Sequence, residues 1–435
     1  MKGQSDIMDI REILEGKEGR VKIHGWLSNR RSSGGILFLI VRDGTGYIQC
    51  TLRKDKTDKK LYEEIERLPL ESAVEIEGVA KQEKRAPDGY EIEIEAVQIV
   101  SKAQPDFPIG KKYHGVNFLL DNRHLAIRSP KMLNIMVVRD RLLGAAREWF
   151  KAHGYLEVQV PTIISAACEG GSTLFEVKYF DKKAYLTQSW QLYGEAMIQA
   201  FGRCYTIAPS FRAEKSRTRR HLTEYWHLEA EIPFCDMKQL MQIEEELVTH
   251  IVHTVAKDCK KELQKLGRDP EELLKIKPPF PRITYKQAIE MLKADGLSIK
   301  HGDDIGADEE AELTNNFQVP FFVTHFPKSL KAFYHKPDPT DPTVTLSVDM
   351  LAPEGYGEII GSGERIESYE ELMKRIEENK LNPKDYAWYL DLRKWGAVPH
   401  SGFGLGVERT VMWICKLKHI RDAIAFPRLI NRIYP

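Results

Sequence analysis

The 435-residue sequence holds six cysteines, and they are scattered. Cys50, Cys168, Cys204, Cys235, Cys259 and Cys415 form no C-x-x-C and meet no histidine at finger spacing. Neither a zinc site nor a disulfide framework is indicated, and a reduced interior is expected. Charge of one sign is lacking too: 64 Lys+Arg face 64 Asp+Glu, so a nucleic-acid partner is not announced by global charge and must be met by local patches. No run reaches the about 18 apolar residues of a membrane span, and the opening M-K-G-Q-S-D-I-M-D carries no apolar signal segment. A soluble, cytoplasmic protein without membrane contact is the expectation. No serine or cysteine stands with a paired base, which points away from a side-chain nucleophile.

What is present is concentrated in Ser210 to Glu231, S-F-R-A-E-K-S-R-T-R-R-H-L-T-E-Y-W-H-L-E-A-E. Cys204 to Pro209 has strand composition before it, and Tyr225 to Ile232 alternates Tyr, His and Glu with Trp, Leu and Ala, which predicts a long hairpin whose second strand shows two different faces. The connection, with Lys215, Arg217, Arg219, Arg220 and His221, has scarcely an apolar residue. It either stays solvated or holds an anion. Arg212 and Glu214 fall at the hairpin base on the face of Tyr225. A guanidinium clamps phosphate, a carboxylate accepts from an amine and an aromatic face stacks on a base, so the three describe a nucleotide site. On this stretch alone a plain ion pair on a solvated basic hairpin stays open.

Near the other end His400 to Arg409, H-S-G-F-G-L-G-V-E-R, places three glycines at spacing two before the apolar-periodic run Thr410 to Leu417. Such a backbone can pass close to a ligand or to another strand. An amphipathic run from Met136 to Phe150 leads through Gly154-Tyr155-Leu156-Glu157-Val158 to Pro161. In this order the three stretches resemble motifs 1, 2 and 3 of the class II aminoacyl-tRNA synthetases, and the resemblance covers essentially the whole chain. It implies an α+β fold, with an antiparallel sheet flanked by helices, and a homodimer formed through motif 1.

From Gly19 to about Val100 the signals are mostly strand: Val21 to Trp26, Ile36 to Val41, Tyr47 to Leu52, Ala73 to Val79 and Tyr90 to Ile99, with a short helix Lys60 to Leu68 between the third and fourth. Five strands and one helix in that order match an all-β OB-fold barrel, which binds single strands by stacking bases beside a cationic groove. Phe38, with Arg30 and Arg31 upstream and Gln49 on the next strand, fits that use. The spacing of Phe38 and Gln49 looks like that of the anticodon-binding barrels of aspartyl- and asparaginyl-type synthetases. Ser101 to Pro130 has three prolines and no period, and predicts a hinge. The division expected is thus 1–103 barrel, 104–130 hinge and 131–435 catalytic domain. Within the last, Asp236 to Leu266 carries a helical stripe of Leu240, Ile243, Leu247, Ile251 and Val255, and about 262–310 is a peripheral helical insertion.

What the resemblance implies for the site is carried over by motif position. Arg212 meets the α-phosphate of ATP and Glu214 the adenine amine. Tyr225 stacks under adenine with Arg409 over the other face, and His221 and Arg409 reach the γ-phosphate end. Arg220, Leu222 and Gly406 line the nucleotide. Glu169, in the turn-like Cys168 to Thr173, contacts the amino group of the amino acid. Asp349 and Glu358, on neighbouring strand positions, are a seat for Mg2+. Reaction by positioning and charge neutralisation needs no covalent intermediate on the protein.

The subclass with an N-terminal barrel includes aspartyl, asparaginyl and lysyl enzymes. Aspartyl enzymes place Lys-Gln after Q-L-Y or Q-L-F; here Leu186 to Ala196, L-T-Q-S-W-Q-L-Y-G-E-A, has Gly194-Glu195. Losing the cation and gaining a carboxylate disfavours an anionic substrate and offers an acceptor to a carboxamide. Gln191, Gly361 and Arg365 complete the expected amino-acid pocket, Arg365 donating to the carboxamide oxygen. The resemblance is therefore to the asparaginyl branch, archaeal and eukaryotic-like, with ATP, L-asparagine and tRNA(Asn) as partners. An aspartyl enzyme is the alternative; a paralogue acting as a free asparagine synthetase or a tRNA-binding module is more distant. Two departures stand out: Gly361-Ser362-Gly363-Glu364-Arg365 where G-G-S-Q-R is common, and Trp190 where a small residue or proline is usual.

Overall fold

The computed structural model describes residues 7–110, 112–168, 173–215 and 218–435. It divides into two compact units, Met1–Leu133 and Asn134–Pro435. In the first, strands β1 (Gly19–Ser33), β2 (Ile36–Arg42), β3 (Tyr47–Arg53), β4 (Ala73–Gln82) and β5 (Tyr90–Ser101) close into a barrel in the order β1-β2-β3-β5-β4. Alternation drives the closure. Leu37, Leu39 and Val41 on β2 and Val74 and Ile76 on β4 point inward and are buried, while their sequence neighbours face out. The helix Lys59–Arg67 between β3 and β4 starts on Asp58, whose side chain accepts from the backbone N–H of Lys60 and Leu61. A short helix, Ile10–Leu14, adds Ile10 and Ile13 to the barrel core and was not foreshadowed by pattern. The stretch expected as a hinge lies in this unit and includes the helices Val116–Asp121 and Arg123–Ala126.

The second unit is built on an eight-stranded sheet. In chain order its strands and a small accessory sheet are β6 (Leu156–Glu157), β7 (Ile163–Ile164), β8 (Glu176–Tyr179), β9 (Lys182–Leu186), β10 (Cys204–Phe211), β11 (Glu224–Pro233), β12 (Arg282–Thr284), β13 (Phe321–Thr324), β14 (Ser347–Ala352), β15 (Gly357–Glu364) and β16 (His400–Gly406). The large sheet runs β12-β13-β14-β15-β16-β11-β10-β6, antiparallel except for its two edge pairs. The motif 1 helix spans Pro130–Ala152. A second long helix, Met237–Asp258, opens on a capping box between Asp236 and Gln239 and buries Leu240, Leu247, Ile251 and Val255.

The expected insertion contains the helices Pro270–Leu274, Tyr285–Ala294 and Ala307–Leu313 and the edge strand β12. It shares a core with the sheet, Leu292 and Leu313 packing with Phe321 and Leu351. Among the described residues, no helix is long and apolar enough to cross a membrane.

Candidate active site

The hairpin forms as its alternation predicts. β10 and β11 pair antiparallel with Ser210 opposite Tyr225, and the backbone N–H of Arg212 donates to Thr223 O at 3.0 Å where the strands part. Period two then puts Tyr225, His227, Glu229 and Glu231 on one face. At the base the Arg212 guanidinium lies 5.8 Å from the Tyr225 ring centre and 3.9 Å from Glu214. Arg217, in the connection, lies outside the described residues.

Above this base is an open cleft of about 680 Å³. Arg212, Glu214, Tyr225 and Arg409 line it, and so do Arg220, His221, Leu222, Glu358 and Gly406, so every residue expected to meet the nucleotide is brought together. Arg409, in the first turn of the helix Val407–Ile414, is held to the Glu358 carboxylate at 3.0 Å and donates to the Glu358 carbonyl at 3.1 Å. Burial and then the Arg409 charge push the His221 imidazole below its ordinary value. The same burial, with Arg212 and Arg409, takes His227 down to about 3. Cationic charge is thus carried by arginines and not by the histidines.

A second, larger cavity of about 1280 Å³ adjoins the first, and Arg212, His227, Glu358 and Gly404 line both. Its floor is the glycine-bearing pair β15 and β16, with Gly361 opposite Gly404 and Gly363 opposite Gly402. A Cβ at Gly402 would overlap the Glu231 carboxylate, so the glycine is what lets Glu231 lie down on the sheet. There Glu231 accepts twice from Arg365, from Nη2 at 2.7 Å and from Nε at 3.3 Å, and both side chains are buried. The Arg365 guanidinium also stands 5.3 Å over Tyr334. Glu231, Lys331, Tyr334 and His335 in this wall were not singled out from the sequence. For Glu231 the signal was there, since it continues the alternation that begins at Tyr225.

Asp349 and Glu358 are not directly opposite. A bulge between Met350 and Leu351 leaves Asp349 facing Gly361 and Glu358 facing Leu351. Their carboxylates nevertheless converge over Gly361: measured from where its Cβ would stand, Glu358 Oε1 is 3.3 Å away and Asp349 Oδ1 3.8 Å. Lys331 donates to both Asp349 oxygens at 2.7 and 2.8 Å. Burial pushes the Asp349 carboxyl up to about 7, Lys331 opposing and Glu358 adding to the rise. Burial raises Glu358 as well, but Arg409, Lys331, Arg220 and Arg212 outweigh it and hold that carboxyl at about 2. Two converging acidic groups in the wall of the larger cavity fit a hard divalent cation.

One expectation needs correction. Glu195 does not line the cavity; it is 1% exposed behind it. Its oxygens accept from Gln191 Nε2 at 3.0 Å, Tyr389 OH at 2.8 Å and His400 Nε2 at 2.9 Å, and from Arg393 Nη2. A carboxylate so occupied has no lone pair for a substrate. Gln191 does line the cavity and links Glu195 to it. Glu169 lies outside the described residues.

In the barrel, Phe38 and Gln49 are diagonal neighbours on one face of β2 and β3. Phe38 is half-buried with the Arg31 guanidinium 4.3 Å from its ring centre. Gln49 is buried and donates from Nε2 to Glu91 at 3.1 Å, which orients its amide; Glu91 on β5 was not foreseen. Arg30 is turned the other way. It donates to the carbonyls of Ile65 and Leu68 at the end of the helix, so Arg31 is the cation beside Phe38.

Residues 115–430 match the family model of tRNA synthetases class II (D, K and N), and residues 21–100 match that of the OB-fold nucleic acid binding domain. The chain belongs to the class II aminoacyl-tRNA synthetases of this group. Within it, the chain belongs with the asparagine–tRNA ligases. It is 50% identical to the asparagine–tRNA ligase of Thermoplasma acidophilum over 416 residues, 96% of each chain, and 51% identical to that of Pyrococcus abyssi over 429 residues, 98% of each. Among solved structures, asparaginyl-tRNA synthetase from Pyrococcus horikoshii complexed with asparaginyl-adenylate is similar over the full length of both chains, with TM-score 0.94 and 47% identity. An aspartyl tRNA synthetase from Entamoeba histolytica shares the architecture at TM-score 0.85 and 27% identity, over 100% of this chain and 94% of that one.

Proposed function

We propose that the chain activates L-asparagine with ATP and transfers it to tRNA(Asn). The observation that carries this is Arg212 on the wall shared by two cavities. Activation joins an amino-acid carboxylate to the α-phosphorus of ATP, so the α-phosphate must lie where the two substrates meet, and there a guanidinium can neutralise the charge that builds on its oxygens. ATP occupies the cleft with adenine on Tyr225, its amine at Glu214, and the distal phosphates toward His221 and Arg409. Arg220, Leu222 and Gly406 shape the walls. The amino acid lies in the larger cavity with Gln191, Gly361 and Arg365, and Glu169 takes its amino group. The carboxylate attacks in line, the new P–O bond forms and pyrophosphate leaves. A ribose hydroxyl of the terminal adenosine of tRNA then attacks the acyl carbon and AMP departs.

Asp349 and Glu358 would hold Mg2+, with Lys331 yielding Asp349 to the metal. Held there, it would supply neutralisation of phosphate charge beside Arg212 and Arg409. Selection of asparagine rests on Arg365 and Glu231 side by side, a donor for the carboxamide oxygen next to an acceptor for its NH2. The barrel reads the anticodon with Phe38 and Gln49, with Arg31 alongside. Exposed apolar residues in motif 1 and just after it, Leu156 and Ile163, support a homodimer.

The test is ATP–pyrophosphate exchange with asparagine and aspartate side by side. Preference for asparagine is expected; preference for aspartate would replace this reading with the aspartyl one. Identity of 47% to the asparaginyl structure against 27% to the aspartyl one favours the first.

A further inference from the structure

Glu310 has none of the roles assigned above. It sits on the helix Ala307–Leu313, in the stretch whose sequence reads as a peripheral insertion, and is 8% exposed. Its Oε2 atom accepts from Arg220 Nη1 at 2.5 Å and from the backbone N–H of Glu358 at 2.6 Å. Arg220 also donates to the Tyr356 carbonyl at 3.2 Å. Both peptide groups of Glu358 are therefore held, the N–H by Glu310 and the carbonyl by Arg409. Gly357 makes the room: a Cβ there would overlap Arg220 Nη1 and Glu310 Oε2. The helix is docked independently by apolar packing, with Leu313 fully buried against the core of Phe321 and Leu351.

We propose that Glu310 is a positioning residue for ATP, through which the insertion fixes Arg220 and the start of β15 beneath the nucleotide. The proposal rests on the reading of the smaller cleft as the ATP site. A buried guanidinium that loses its carboxylate swings toward other acceptors, and a buried N–H that loses its acceptor lets the strand end shift. Both displaced groups face the nucleotide cleft. The asparagine contacts at Arg365 and Glu231 do not touch them.

The experiment uses the full-length protein in pyrophosphate exchange with ATP and asparagine titrated separately, with calorimetric binding of magnesium-ATP and of asparagine. Glu310→Ala is expected to raise KM for ATP about tenfold or more while KM for asparagine stays within about twofold. Glu310→Gln keeps an acceptor for the Glu358 N–H but not the charge facing Arg220, and falls between. Gly357→Ala drives a methyl between the same partners and should give the same ATP-selective defect, which decides the matter if Glu310→Ala does not fold. A merely structural residue would lower the melting temperature and the active fraction with no change in either KM. Unchanged KM for ATP in active Glu310→Gln and Gly357→Ala overturns the proposal alone. An unaltered protein that exchanges no pyrophosphate at all overturns the reading of the cleft and the proposal with it.

Discussion

The indole of Trp190 lies against Gly194, one helical turn on, so that a Cβ at 194 would overlap three of its ring carbons. Trp190 is 1% exposed and packs with Ile198 and Cys204. Trp190, where a small residue or proline is usual, and Gly194, where aspartyl enzymes place lysine, are thus one feature. The indole takes the space that any side chain at 194 would need.

Gly194→Lys is accordingly expected to destabilise the fold by overpacking, by about 1–3 kcal/mol, before any effect on specificity. Trp190→Ala leaves a cavity that the lysine stem can fill, so the double variant should lose less than the sum of the two singles by about 0.5–3 kcal/mol. Urea unfolding of the four proteins measures the coupling. Strict additivity would mean that the contact carries no energy.

Much of this arrangement was legible because it is local. The hairpin register follows from alternation between Cys204 and Ile232, and the turn fixes which residues share a face with Tyr225. Arg212, Glu214 and Tyr225 meet for that reason. The partners of Glu195 come from Tyr389, Arg393 and His400, far along the chain, and a helix residue beside a substrate segment reads the same whether it faces the cavity or the core behind it. Glu310 was hidden similarly: its helix is acidic and short, and only the close approach allowed by Gly357 shows which of its carboxylates turns inward. The bulge could not be read from strand pattern, because its extra residue, Ile359 on β15, sits among Met350, Leu351 and Ile360, which are all buried and leave no alternation to break.

Arg212→Ala should abolish adenylate formation while the fold and tRNA binding persist, since the barrel has its own core. Exchange surviving within about tenfold, a loss of only about 1.4 kcal/mol, would remove Arg212 from the α-phosphate.

In the barrel, Phe38→Ala and Gln49→Ala are expected to weaken tRNA charging by about 1–3 kcal/mol each, the worth of stacking on one base, and leave asparagine-dependent exchange unchanged. Glu91→Ala should resemble Gln49→Ala, because it frees the amide that Glu91 orients. Equal losses in charging and exchange would make these residues props of the fold.

Glu195 predicts a pH dependence of stability. Burial pushes its carboxyl up, but Arg393, His400 and Arg365 prevail and hold it well below the usual carboxylate range. A carboxyl depressed in the folded state stabilises fully above its unfolded value of about 4.3 and loses that contribution as pH falls toward the folded one. Glu195→Gln should therefore cost about 3–5 kcal/mol, the cost of leaving the buried Arg393 without its carboxylate, equally at pH 8 and pH 6. The gap to the unaltered protein should narrow only in acid, below about pH 4.3. A gap that already closes between pH 8 and 6 in urea titrations would show that another group titrates with the cluster.

Specificity is tested at Glu231. Its carboxylate accepts from Arg365 at 2.7 Å and lines the larger cavity; with the amino acid bound there as proposed, an asparagine carboxamide would find a donor and an acceptor side by side, whereas the second oxygen of aspartate would meet a like charge. A site built on a substrate hydrogen bond rejects the analogue that lacks it by about 10⁴ or more. Glu231→Gln keeps the shape above Gly402 but removes the charge, and it releases Arg365 to pair with an anionic side chain. Asparagine activation should fall and aspartate activation rise from its background, measured as kcat/KM in pyrophosphate exchange. Arg365→Ala should abolish both, because either substrate offers it an oxygen. If Glu231→Gln lowers both activities in equal proportion, the discrimination lies elsewhere in the cavity, and His335, buried beside Arg365, is the next residue to exchange.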